Sequence, residues 1–177
     1  MRVISGVARG RKLKAEVPKG VRPTSDRVKE SMFDMLFSLG GVVDATVIDL
    51  FCGTGALGIE ALSRGARHVT FVDDAVRALK SAEENLVGVG LDLSTTARYR
   101  ATLPGWRPSS PVDLVLADPP YDFTDWAALL DGFPAQMVVC ESGRPLPELS
   151  GWTITKSKAY GTTLVTVLEP ETSEAAS

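Results

Sequence analysis

The apolar runs of this 177-residue chain alternate between strand-like and helix-like spacing, which predicts an α/β fold around a mostly parallel sheet. Two further observations say where such a sheet would work. Gly53, Gly55 and Gly58 form G-x-G-x-x-G directly after the first strand-like run, and Asp118-Pro119-Pro120-Tyr121 follows a second, Val112–Ala117. Ligands of open parallel sheets bind beyond the carboxyl ends of the strands, so both segments belong to one edge.

The elements follow in order. Arg2–Ser5 and Arg11–Glu16 read as a small hairpin around Gly6–Gly10, broken by Pro18, Gly20 and Pro23. Thr24 or Ser25 is placed to cap a helix, with Asp26 in its first turn. Val28, Met32, Met35, Leu36 and Leu39 keep helical spacing until Gly40-Gly41. Then come a strand over Thr46–Phe51, a helix over Ala56–Arg64, a strand over His68–Asp73 and a helix over Ala75–Val87. Strands are expected at Thr95–Arg100 and Val112–Ala117, a helix at Phe123–Leu130 and a strand at Gln136–Glu141. An antiparallel pair, Trp152–Ala159 and Thr162–Leu168, closes the domain, and the polar residues 170–177 are expected to be a disordered tail. The connections Ala101–Pro111 and Gly143–Gly151 are rich in proline, so little helix is expected in the first and at most one turn in the second.

The glycine loop lets the backbone turn tightly and approach a ligand closely. Asp73 lies 20 residues after Gly53, at the end of the next strand, where a carboxylate reaches both hydroxyls of a ribose. These features suit a dinucleotide or S-adenosylmethionine. Asp49, just before the glycines, favours the latter: its charge attracts an ammonium and repels a pyrophosphate. The second segment has no role in hydride transfer. Two prolines force the chain out of the sheet in a stiff corner between a carboxylate and an aromatic ring. Such a corner clamps a planar, amine-bearing group, with Asp118 accepting N–H bonds and Tyr121 stacking.

Composition narrows the class. No apolar run approaches the ~20 residues of a membrane span, and no signal peptide is recognised, so a cytoplasmic protein is expected. Two cysteines and one histidine offer neither a disulfide framework nor a zinc cluster, and no metal is expected. Cys52 and His68 read as packing and surface residues. The net charge of −3 divides into +7 over residues 1–29 and −10 beyond. A basic arm on an acidic body points to a polyanion, with Arg9, Arg11, Lys12, Arg22 and Arg27 as candidate phosphate contacts.

With both segments placed, the chain resembles class I methyltransferases that modify exocyclic nitrogens. More narrowly, it resembles the RsmD family of 16S ribosomal RNA guanine-N2 methyltransferases. Arg2–Leu13, Arg22–Phe33 and Ala56–Gly65 carry that narrower likeness, which runs from about Arg2 to Leu168. The resemblance implies a Rossmann-like sheet whose last strand is antiparallel, preceded by a hairpin-and-helix extension. Residues 1–40 would be an RNA-contacting extension and 41–169 the methyltransferase domain. It implies S-adenosyl-L-methionine as cofactor, held by Asp49, Phe51, Gly53, Thr54, Gly55 and Asp73. Asp118, Pro119, Pro120 and Tyr121 would be the catalytic corner. The partner would be 16S rRNA in the small ribosomal subunit or its assembly intermediate, acted on by a monomer. The corner by itself leaves guanine, a DNA adenine and a protein glutamine open as acceptors, and a non-catalytic RNA-binding assembly factor remains the alternative from another class.

Overall fold

The computed structural model describes residues 1–14 and 26–171. Within them one seven-stranded sheet has the order β3-β2-β1-β4-β5-β7-β6. Its strands are β1 Thr46–Leu50, β2 His68–Asp73, β3 Thr96–Arg100, β4 Leu114–Ala117, β5 Val138–Ser142, β6 Trp152–Tyr160 and β7 Thr163–Pro170. The first five pair in parallel, and β7 runs antiparallel to both β5 and β6. Apart from Thr46 at its start and Asp49, β1 is apolar, as is all of β4, in keeping with strands covered on both faces.

Helices α1 (Asp26–Phe37), α2 (Ala56–Ser63) and α3 (Val76–Gly88) join one core with Val47, Phe71, Leu116, Val139 and Val167, and α4 (Trp126–Leu130) joins the other with Ile48, Val72, Val115 and Val138. Val3, Ala8 and Leu13 lie in the first of these cores, so the N-terminal hairpin is packed on the body. The hairpin is shorter than expected: Arg2 bridges Lys12, while Glu16 lies outside the described residues. So do the expected caps Thr24 and Ser25 and the phosphate candidate Arg22.

Buried charge fastens the hairpin. Glu60, wholly buried on α2, accepts the Ile4 and Ser5 amides at 2.7 and 2.9 Å and pairs with Arg64 at 2.8 Å. Lys29, also buried, pairs with Glu60 at 3.3 Å and donates to the Arg2 carbonyl at 2.6 Å. Burial pulls the Lys29 ammonium below its ordinary pKa, with Glu60 opposing that shift.

Several boundaries move by a few residues, three of them for a readable reason. α4 starts at Trp126 rather than Phe123, because the Phe123 amide closes a turn on the Pro120 carbonyl (2.8 Å) and its ring leaves the helix path. β4 starts at Leu114, with Val112 making only a single bridge to Ala135. Pro170, expected in the frayed tail, ends β7 opposite Trp152, a strand-end position where proline's missing N–H is tolerated.

Candidate functional site

Strand register builds the site. Leu50 of β1 is level with Val72 of β2 on one side and Ala117 of β4 on the other. The next residues, Phe51, Asp73 and Asp118, therefore leave three neighbouring strands at one height on the carboxyl edge. Strands lie about 4.8 Å apart, so this places the glycine loop between the two carboxylates.

The loop is tied down from beneath. Gly53 donates its amide to Asp73 Oδ2 at 2.9 Å, and Ala75 donates to Asp73 Oδ1 at 2.9 Å. Gly58, in the first turn of α2, donates to Asp49 Oδ2 at 2.8 Å. Gly55 takes the left-handed φ of 78°, and a Cβ there would lie 2.9 Å from that of Ala82, so both backbone and packing require glycine. Gly53 differs. Its φ is also positive at 51°, but an added Cβ would find nothing nearer than the Phe51 carbonyl at 3.9 Å, and the space above it is open. Phe51 itself holds a left-handed φ of 56°, a strained state for a bulky residue that concentrates at ligand sites.

Two residues absent from the sequence-level candidates complete the support. Asn85, buried on α3, donates to the Thr54 carbonyl at 2.9 Å and the Lys14 carbonyl at 3.1 Å, and accepts the Lys14 amide at 2.8 Å. It joins the loop to the end of the hairpin. The ring of Phe123 meets Phe51 edge-on at 5.1 Å and Trp126 at 5.2 Å, joining the loop to the corner after β4. In sequence, Asn85 is one polar residue in an amphipathic helix and Phe123 reads as the apolar start of the next helix, so neither spacing nor composition marks them.

The carboxylates lie within reach of one another's charge. The Asp49 carboxyl is pushed well above the usual carboxylate range, first by burial and then by the charges of Asp118 and Asp73, with the Gly58 amide opposing. Asp49 is 1% exposed, so any influence on a ligand would come through its field rather than at an open surface. Burial and the same aspartates raise the Cys52 thiol, which leaves it a packing residue. Across from the loop Pro119 is buried, Asp118 partly so, and Pro120 and Tyr121 are exposed, Tyr121 to 71%. The site can thus hold a ligand with positive charge and paired hydroxyls beside an open, carboxylate-edged aromatic face. Among the described residues no group of His, Cys, Asp and Glu is arranged to hold a metal ion.

The phosphate candidates are spread out. α2 and α3 run back from the carboxyl edge over ~12 and ~20 Å. The Val7 amide bonds the Ser63 carbonyl at the far end of α2, which puts the turn carrying Arg9 at the opposite edge of the sheet. Arg11 is there too, its guanidinium donating to the Val89 carbonyl just past α3. Lys12 is exposed on the hairpin and Arg27 on the first turn of α1.

Comparison with known proteins agrees with this geometry. The family model described as Conserved hypothetical protein 95 matches residues 1–169. YlbH of Bacillus subtilis is 38% identical over 94% of the chain and 97% of that protein. Ribosomal RNA small subunit methyltransferase D of Haemophilus influenzae is 30% identical over 91% of the chain and 89% of that protein. Among solved structures, yhhF of Escherichia coli superposes with a TM-score of 0.80 at 31% identity, covering 97% of this chain and 98% of that one.

Proposed function

Because the chain belongs to the RsmD family, whose model is described as Conserved hypothetical protein 95, we propose that it transfers a methyl group from S-adenosylmethionine to the exocyclic N2 of a guanine in 16S ribosomal RNA. The observation that carries this reading is the shared height of Phe51, Asp73 and Asp118 on adjacent strands, which sets a cofactor loop beside an amine clamp.

The residues present fit the cofactor. A carboxylate has about four lone-pair sites, and Asp73 spends one on each oxygen, for Gly53 and Ala75. One site per oxygen is left for the two ribose hydroxyls. The open space at Gly53 admits close approach along the Gly53-Thr54-Gly55 backbone, and Asp49 adds an attractive field for the amino-acid ammonium. When bound, S-adenosylmethionine supplies a methyl group already activated by its sulfonium.

The protein's task is then to align and prepare the nitrogen. Guanine N2 is conjugated with its ring, so its lone pair is a poor nucleophile. Accepting its two N–H bonds at the Asp118 carboxylate and the Pro119 carbonyl favours a more pyramidal nitrogen. Tyr121 stacks on the base and holds its plane, and the rigid Pro119-Pro120 corner keeps the three groups in register. A base within folded RNA reaches this corner only when turned out of its stack, which the exposed position of Tyr121 allows. Arg9, Arg11, Lys12, Arg22 and Arg27 would contact phosphates. RNA touching both Asp118 and Arg9 spans the ~20 Å height of the sheet, a reach suited to a macromolecular substrate in the small subunit or its precursor. On this reading the protein would work in the cytoplasm, as a monomer.

The test incubates the protein with labelled S-adenosylmethionine and small ribosomal subunits lacking the modification, then digests the RNA for mass spectrometry. Labelled N2-methylguanosine is expected. Labelled N6-methyladenosine, or no labelled nucleoside where cofactor and subunit both bind, overturns the assignment.

A further inference from the structure

Gly143 follows β5 directly and does not need glycine for its backbone: its φ lies outside the left-handed region. Space is what requires it. A Cβ built on Gly143 would lie 2.6 Å from Cζ and 2.9 Å from Cδ2 of Tyr121, and closer still to Cε2, distances that real side chains do not adopt. The Tyr121 ring therefore occupies the volume that any other residue would fill. The seat is itself held. Ser142 Oγ donates to the Arg144 carbonyl at 2.7 Å, closing a clasp around Gly143, and Ser142 is paired with Leu164 of β7. The ring rests against a fixed strand end on one flank and stays 71% exposed on the rest.

We propose that Gly143 is a positioning residue for the acceptor, its missing side chain setting where the Tyr121 ring stands and hence the plane in which a stacked base is presented. This rests on the assignment of Tyr121 as the stacking residue. The two prolines fix where the chain leaves β4, but they leave Tyr121 free to turn about its own side-chain bonds. The seat on β5 removes that freedom from the neighbouring strand, so that the stacking surface is ordered before the base arrives. Because Tyr121 is exposed, a methyl group at position 143 displaces the ring and spares the core.

A double-mutant cycle reads this directly. Gly143→Ala should fold, bind S-adenosylmethionine like the wild type and lose about 5- to 10-fold in kcat/KM for ribosomal RNA, within the range of one base–aromatic stack. In a Tyr121→Ala background the same substitution should cost nothing more, whereas in Tyr121→Phe it should cost the full amount. An unchanged kcat/KM in Gly143→Ala, or equal losses with and without the ring, overturns the proposal. If Tyr121→Ala alone leaves transfer unaffected while N2-methylguanosine still forms, the stacking role and this inference fall together and the methyltransferase assignment stands. Should Gly143→Ala not fold, Ser142→Ala opens the clasp without adding an atom. A fall in kcat/KM at unchanged cofactor affinity then supports the seat, and wild-type kinetics removes it.

Discussion

The glycine loop and the Asp118–Tyr121 corner leave adjacent strands at the same height, yet they are built in opposite ways. The loop is held from three sides, by Asp73 on Gly53, Asp49 on Gly58 and Asn85 on Thr54, and two of those three anchors are buried. The corner owes much of its shape to covalent stiffness, its tip is exposed, the Phe123 amide closes a turn on its Pro120 carbonyl, and its Tyr121 ring stands against Gly143. A small cofactor of constant shape rewards a preformed cradle. A base delivered by a folded RNA needs an open approach and a surface that is oriented without being enclosed. In the proposed assignment, damage to the loop should appear in cofactor affinity, and damage to the corner in turnover.

The sharpest way to break this contrast is Asp118→Ala. It should keep S-adenosylmethionine affinity, read by calorimetry, and lose at least about 100-fold in kcat, as expected when a reacting group is no longer aligned. Full activity would remove the amine clamp from the mechanism. Asp73→Ala should do the reverse, weakening cofactor binding by about 10- to 100-fold through two lost charge-assisted hydrogen bonds. If its kcat at saturating cofactor fell as far as that of Asp118→Ala, the division between loop and corner would be wrong.

Asp49→Asn refines the donor side. A carboxyl raised by burial binds its proton more tightly in the folded chain, so its stability contribution is fullest below the ordinary carboxylate range and is lost as pH rises through the elevated value. Asn keeps an acceptor for Gly58 and removes that penalty. The cofactor-free variant should melt a few degrees higher at neutral pH, at about 2–4 °C per kcal/mol, and the gap should close on acidification. Its cofactor affinity should fall, and should lose the rise with pH that ionisation of Asp49 gives the wild type.

The smallest effects separate two basic residues of the hairpin. Arg11→Ala should cost about 1 kcal/mol of stability, its bond to the Val89 carbonyl being lost, in addition to weakening RNA binding as a phosphate contact. Lys12→Ala should leave stability alone and reduce the salt slope of RNA binding by about one. A salt slope equal to that of the wild type would mean that Lys12 is not a phosphate contact.

The sheet and both loops were legible because each is local. A short β-branched run reads as a buried strand, and glycines or paired prolines punctuate its end. Hence β1, β2 and the corner after β4 were placed from residues alone. What escaped depends on partners distant in the chain. Lys29 and Glu60 look like solvated helix charges until the hairpin backbone is laid across them, 56 residues from Ile4 to Glu60. The early part of α4 was misread because Phe123 answers to Phe51, not to its own helix. Arg9 and Arg11 carry the right charge for RNA, but only the fold reveals that they stand at the far edge from Asp118. Gly143 is silent in sequence because nothing in its own segment needs a glycine.

The bond between Asp49 and the Gly58 amide has a consequence for traffic in a crowded cell. A helix start after a glycine turn ordinarily invites phosphate, and nucleotide polyphosphates are among the most plentiful small anions a bacterium holds. Here the protein's own carboxylate already occupies that invitation, from within and at 2.8 Å. In the proposed assignment, adenosine compounds that carry a phosphate chain would meet repulsion where those that carry an amino acid would meet attraction. The loop would thus sort adenosine ligands by the sign of their tails, and a methyl donor would not have to outcompete the energy currency around it.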